Sequence, residues 1–369
     1  MTSRERVLEA IRRVEPDRVP VDVWLTREAR ARLMAHFGVD DESAPGGLLD
    51  RVGCDIRRIE GPRYVGRPLE TRPDGSSEDL WGVWRRPVVA STAAGEARYM
   101  EVAEFPLAEA RTVADVERYP KWPSPDDFDY SDVGRQAREA GREGHAVLFV
   151  GDRLNRAAQL KPAMYLRGVD RILMDMALEP RIAEAIFARV REFYAEYARR
   201  TLEAAEGAID IFMTGDDFGQ QSGMLMSPEM WRRFLAPGFG ELVEIGKRAG
   251  AAVMHHSCGS IRPIIGDMID LGLDVLNPIQ PDTYDMDPRS LKAEFGARLA
   301  FHGSINIQRT LPFGTPEEVR AEVLDRVRAL GPGGGFIIST AHNIQADVPV
   351  ENMLALFEAY REFGAYPIR

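Results

Sequence analysis

From residue 131 onward the chain alternates helical stretches with short apolar runs. Helix 131–141 leads to Ala146-Val-Leu-Phe-Val150, and helices at about 162–178 and 180–206 lead to Ala208-Ile-Asp-Ile-Phe-Met213. A helix opening at Ser227-Pro228-Glu229, with a break expected at Pro237, runs to Ala249 and leads to Ala251–Met254. Helix 261–271 leads to Asp274-Val-Leu276, and helix 288–294 to Arg298-Leu-Ala-Phe301. Thr315-Pro-Glu-Glu318 is a capping box with Pro at the first helical position. Its helix reaches Leu330, a Gly-rich turn at 331–335 leads to Phe336-Ile-Ile-Ser339, and helix 350–363 follows. Apolar strands separated by helices cannot be joined by hairpins, so they must lie parallel with helices covering the sheet.

The first part of the chain adds two more runs. Residues 3–13 read as a helix with Ser3 as N-cap, and Pro16 and Pro20 end it. Val19-Pro-Val-Asp-Val-Trp-Leu25 is strand-like, residues 27–37 are helical, and Cys54-Asp-Ile-Arg-Arg-Ile59 is the next strand. Residues 60–125 break the rhythm. Segments 78–86 and 97–102 alternate like antiparallel strands with Gly95 in the turn between them, which predicts a β-hairpin insertion. Counting these runs gives roughly eight strands, none followed by a dinucleotide-type glycine fingerprint. The order fits an α/β fold of the (β/α)8 TIM-barrel type, one domain over 1–369 with N-terminal helices and the hairpin insertion at about 60–125.

Composition narrows the partners. A formal net charge of −11 disfavours nucleic acid and anionic membrane surfaces. There is no apolar run of about 18 residues, and the charged start MTSRERVLEAIRR lacks the apolar centre of a secretory signal. Two distant cysteines, Cys54 and Cys258, make no disulfide framework. The expected setting is cytoplasmic, with a small-molecule substrate.

The later strands stop in polar clusters: Gly151-Asp152-Arg153, Gly215-Asp216-Asp217, His255-His256-Ser257-Cys258, Asn277-Pro-Ile-Gln280, His302-Gly-Ser-Ile-Asn306 and Ala341-His342-Asn343. A single such cluster reads equally well as a helix cap. In a barrel, however, all C-terminal strand ends converge on one mouth. Recurrence at six ends points to a shared site, with His302 either lining the mouth or lying in the core. His256 and Cys258, two apart in extended backbone, face the same side, and His255 faces the other. One imidazole and one thiolate suit zinc, with His342 as the natural third ligand and Asp216 or Asp217 as a fourth. The spacing also fits a small buried cysteine beside a hydrogen-bonded histidine. Cys54 reads as a core residue, and His36 and His145 as surface residues. The Trp81/Trp84 pair reads as a hairpin face packed on the barrel.

Four segments resemble the uroporphyrinogen decarboxylase superfamily: TSRERVLEAIRRVEPDRVPVDVW, GDDFGQQSGMLMSPEMWRRFLAPGF, HHSCGSIRPIIGDMIDLGLDVLNPIQ and GGGFIISTAHNIQADVPVENMLALFEAYREFG. The resemblance implies a (β/α)8 barrel. In the decarboxylase itself, an Arg-Gln-Ala-Gly-Arg segment follows the first strand. Here Arg27 fits the first arginine, but Glu28 replaces the glutamine and Arg30-Ala31 the Gly-Arg ending. A glutamate there would repel a substrate rich in carboxylates. The zinc-dependent, corrinoid-linked methyltransferases of the superfamily carry an His-x-Cys pair and a later cysteine. His256 and Cys258 match the pair, and His342 stands where the later cysteine is expected.

The resemblance therefore implies a zinc-dependent methyltransferase moving a methyl group to or from a small molecule. The metal set is His256, Cys258 and His342. The corrinoid would come on a partner protein, because the chain lacks an Asp-x-His-x-x-Gly signature. The alternative is a lyase that decarboxylates a tetrapyrrole or other small carboxylate. Arg27, Arg30 or Arg153 would then hold carboxylates, and Asp216 or Asp217 would act as the catalytic carboxylate. Asn277, Gln280 and His302 complete the expected substrate-binding residues. A third reading is a corrinoid- or tetrapyrrole-binding protein without chemistry.

Overall fold

In the computed structural model, which describes residues 1–92, 95–151 and 157–368 (90–92 and 95–98 by backbone only), seven parallel strands form a curled sheet. In order they are β1 Ile56–Ile59, β2 Ala146–Phe149, β3 Ile211–Gly215, β4 Ala252–His256, β5 Val275–Ile279, β6 Ala300–Ile305 and β7 Phe336–Thr340, each paired with the next. The expected strand at 19–25 is not a regular strand. It makes isolated parallel bridges at Val21–Ile338 and Leu25–Ile344. Its backbone nevertheless joins both edges: Asp22 N–H donates to Ile338 O, and Asp55 N–H donates to Val21 O. Its Pro20 carries no N–H, which is one reason a full ladder cannot form there. The architecture is thus α/β, a curled parallel sheet consistent with a TIM-like barrel.

The interior of the sheet is layered. Ile56, Ala146, Leu148, Ile211, Met213, Met254, Val275, Ala300 and Ile337 make an apolar floor. Helix Ser3–Ile11 closes it from below with Val7 and Ile11, its N-terminus held by a Thr2–Glu5 capping box. Side chains alternate along a strand, so the next inward positions are two residues on. Those positions are Arg58 after Ile56, His256 after Met254, Asn277 after Val275, His302 after Ala300 and Ser339 after Ile337. A polar layer therefore rests on the apolar floor. On the 19–25 segment Val19, Val21, Val23 and Leu25 pack outward into the larger core, which leaves Asp22 and Trp24 to face in.

Most helix ends follow the local signals. The Thr315 box caps Pro316–Leu330, and Val350–Phe363 has the expected limits. The break expected at Pro237 falls at Leu235, between helices Pro228–Phe234 and Ala236–Arg248; Pro237 sits in the first turn of the second, where its missing N–H costs nothing. Helix 162–178 is likewise two helices, Leu160–Arg167 and Val169–Leu178, divided at Gly168 with φ 98°. In the 60–125 region, Trp84–Thr92 and Gly95–Glu104 pair antiparallel. Gly95 opens the second strand rather than lying in the turn. Trp81 precedes the pair, buried edge-on against Phe193 and Trp122. Among the described residues, no helix is long and apolar enough to cross a membrane.

Candidate metal centre

His256 is the last residue of β4, and its backbone carries Cys258 past the sheet edge into the mouth. His256, Cys258 and His342 each place one ligand atom within 4.8 Å of the others. His342 reaches them from beyond β7, its ring 6.0 Å from that of His256 and steeply inclined to it. The Cys258 sulfur lies 3.4 Å from His256 Nε2. On the other side of the ring, His256 Nδ1 lies 2.6 Å from Asn277 Oδ1. An amide oxygen only accepts, so Nδ1 carries a proton, and in the neutral ring Nε2 keeps its lone pair toward the sulfur. Two imidazole nitrogens and one thiolate form a donor set that fits zinc, and Asn277 is the kind of hydrogen-bond partner that orients such a ligand.

The loop is held from several directions. Cys258 N–H donates to Asp217 Oδ1 at 2.9 Å, and Gly259 N–H donates to Gln280 Oε1. Asp217 Oδ1 also lies 3.4 Å from His256 Nε2, and its Oδ2 pairs with Lys161 Nζ at 2.7 Å. Burial pushes the Asp217 carboxyl up, but a protonated His256 ring and Lys161 outweigh it and hold the group well below the usual carboxylate range. His255 faces the other way, stacked on Phe218 and hydrogen-bonded to Thr214.

The two aspartates have different surroundings. Asp216 is buried and accepts N–H bonds from Gln159, Leu160 and Lys161 at 2.6, 2.9 and 2.7 Å. It caps helix Leu160–Arg167, and burial pushes it up to about 6 against the pull of those donors. Arg27 is exposed at the start of helix Arg27–Phe37. Arg153 lies outside the described residues. His302 is fully buried beneath the mouth, with one ring nitrogen on Asn277 and the other on Asp22. Cys54 is buried beside Asp22, and its thiol is pushed up to about 12 by burial. His36 is exposed. His145, expected on the surface, is half-buried against Arg57 and Asp50, because Arg57 faces outward between their elements.

Lys161, Asp22, Trp24 and Arg58 were not among the expected site residues. The alternation of valines at 19, 21 and 23 carries the signal for Asp22. Arg58 carries a similar signal, one inward step beyond Ile56. Lys161 has no such signal, since its approach to Asp217 depends on where helix Leu160–Arg167 meets β3.

The sequence profile of uroporphyrinogen decarboxylase (URO-D) matches residues 155–363. The chain belongs to the uroporphyrinogen decarboxylase family. Similar proteins include the uroporphyrinogen decarboxylase of Pseudoalteromonas translucida, 24% identical over 98% of this chain and 97% of that protein. That of Pelodictyon phaeoclathratiforme is 25% identical over 52% of each. The methylated-thiol–coenzyme M methyltransferase of Methanosarcina mazei is 25% identical over 54% of this chain and 50% of that one. The chain thus spans about half the length of several curated relatives it matches. A solved methyltransferase structure from Methanosarcina mazei covers 98% of this chain and 99% of its own, with a TM-score of 0.65 at 19% identity, a likeness of fold. Family members are enzymes of both kinds, decarboxylases and methyltransferases.

Proposed function

We propose that the protein is a zinc-dependent methyltransferase that works with a methyl-corrinoid protein and moves a methyl group to or from a small molecule. The observation that carries this reading is the meeting of His256, Cys258 and His342 within 4.8 Å at the strand ends. A family relative named as a methylated-thiol methyltransferase supports it. Zinc, when bound there, supplies Lewis acidity that favours the thiolate form of a sulfur acceptor or the departure of a heteroatom from a methyl donor.

The chain's own residues prepare that position. Asn277 keeps the Nε2 lone pair of His256 available, and Asp217 and Gln280 fix the backbone on either side of the Cys258 side chain. Asp217 brings negative charge beside the ligand atoms, and Lys161 balances part of it. Asp217 is the nearer candidate for a fourth ligand, since Asp216 is engaged by three backbone N–H groups. Cys258 and His342 are partly exposed, which suits a corrinoid presented by a second protein.

Metal analysis with a methyl-transfer assay tests the reading. Purified protein should hold about one zinc per chain, a stoichiometry set by one such donor set. It should demethylate methylcobalamin in the presence of a thiol, and Cys258→Ala should lose both properties. Protein without stoichiometric metal, together with unchanged activity in Cys258→Ala, would sink it. A second reading, decarboxylation of a small carboxylate, draws on the relatives named as decarboxylases. Formation of coproporphyrinogen from uroporphyrinogen would favour it.

A further inference from the structure

His256 is the first member of a hydrogen-bonded chain that crosses the barrel interior. Its Nδ1 meets Asn277 Oδ1 at 2.6 Å, Asn277 Nδ2 meets His302 Nδ1 at 2.6 Å, and His302 Nε2 meets Asp22 Oδ2 at 3.0 Å. Four residues from β4, β5, β6 and the 19–25 segment thus occupy one polar layer. All four are at least nine-tenths buried.

The direction of each hydrogen bond follows from its far end. Asp22 also receives Arg58 Nη2 at 2.6 Å, Trp24 Nε1 at 2.6 Å and Val23 N–H at 2.9 Å. A carboxylate surrounded by donors can only accept, so the proton between Asp22 and His302 sits on His302 Nε2. Arg58 already balances the charge of Asp22, and a second cation on the fully buried His302 would have no counter-charge. His302 Nδ1 is therefore an acceptor. That turns the Asn277 amide with its NH2 toward His302 and its oxygen toward His256. His256 must then donate from Nδ1, and the neutral ring keeps its lone pair on Nε2, the atom facing Cys258 and Asp217 Oδ1.

We propose that Asp22, three hydrogen bonds from the cysteine–histidine cluster, selects the tautomer of His256 that can ligate a metal, with His302 and Asn277 as the positioning residues between them. The proposal rests on the metal-binding reading above for its purpose, though not for its geometry. An uncharged residue at 22 removes the anchor of the chain. Asparagine there can offer its own NH2 to His302 and allow every bond to reverse. The reversed chain places a proton on His256 Nε2, where it blocks the ligand position. Histidine ligands depend on such outer partners, whose loss costs about 10–100-fold in metal affinity.

The test uses the full chain, labelled with 15N-histidine, stripped of metal by a chelator and held at pH 8.5. Long-range 1H–15N correlation reads the tautomer of each ring, with His256 assigned by the signal lost in His256→Gln. The wild-type ring should be protonated at Nδ1 and bare at Nε2. Zinc affinity, measured by competition with a chromophoric chelator, should fall about 10–100-fold in Asp22→Asn. It should be largely retained in Asn277→Asp, whose carboxylate still accepts from Nδ1. A wild-type His256 protonated at Nε2 would overturn the proposal whether or not zinc binds. So would a folded Asp22→Asn protein with the wild-type tautomer and affinity. A wild-type chain with the expected tautomer that takes up no zinc would support the relay while refuting the metal-binding reading.

Discussion

Lys161 Nζ lies 2.7 Å from Asp217 Oδ2, an ion pair that ties the start of helix Leu160–Arg167 to the end of β3 beside the metal-capable cluster. Both side chains are about one-quarter exposed, so solvent screens the pair only in part. Asp217 also accepts the Cys258 N–H. Asp217→Asn keeps an oxygen for that N–H and removes the charge that faces Lys161. The expected loss is about 1–3 kcal/mol of stability, read by urea denaturation of the metal-free protein. A variant as stable as wild type would show that the pair contributes nothing beyond geometry.

Gly259 supports the cluster by being small. Its φ is +82°, and a Cβ placed on it would lie 2.3 Å from Gly219 C and 2.4 Å from Gln220 N. Backbone cannot yield as a flexible side chain can, so Gly259→Ala must move the Cys258 loop. Strain and overpacking together should cost about 2–4 kcal/mol. The variant should also lose zinc binding, measured by chelator competition. Wild-type affinity in Gly259→Ala would show that Cys258 is not held by this contact.

The periodic parts of the molecule were legible because their causes are local. Helix 350–363 and the Thr315 cap follow from apolar spacing and one capping pattern. The pairing of His256 with Cys258 followed from alternation, and the approach of His342 from the convergence of strand ends. What stayed hidden depends on long-range contact. The bond from His302 to Asp22 spans 280 positions, and alternation alone does not say that the two meet across the barrel. Asp216 and Asp217 look alike in sequence, yet one caps a helix and the other faces the cluster. The difference is which of two successive side chains takes the backbone N–H groups at the start of helix Leu160–Arg167 and which reaches His256 and Cys258. Segment 19–25 reads as a strand, but forms only bridges around Pro20.

Metal removal should lower stability in a residue-specific way. A ligand that binds only the folded state stabilises it by about 4 kcal/mol when free ligand exceeds the dissociation constant a thousandfold. Stripping zinc should therefore lower Tm by several degrees, and zinc added back should restore it. Cys258→Ala and His342→Ala should start from a similar metal-free Tm and show no recovery. The check is a thermal melt with and without zinc in the three proteins. Equal recovery in all three would place any bound zinc elsewhere.

Asp22 should give the protein a particular response to acid. Burial alone would push its carboxyl up, but Arg58, His302 and Trp24 outweigh it and hold the group well below its ordinary value of 3.8. A depressed carboxyl stabilises the folded state while it is ionised. The contribution is complete above the unfolded-state value and is lost as pH falls through the lower, folded-state value. Asp22→Asn, which replaces the ion with a neutral amide, should be less stable than wild type by about 2–3 kcal/mol at pH 7. That gap should hold down to about pH 5 and narrow below 3.8, as wild type alone loses this stabilisation. Urea unfolding of both proteins at pH 7, 5, 4 and 3 measures it. A gap that stayed constant through pH 3, or widened, would mean that Asp22 is not the ionised end of the buried chain.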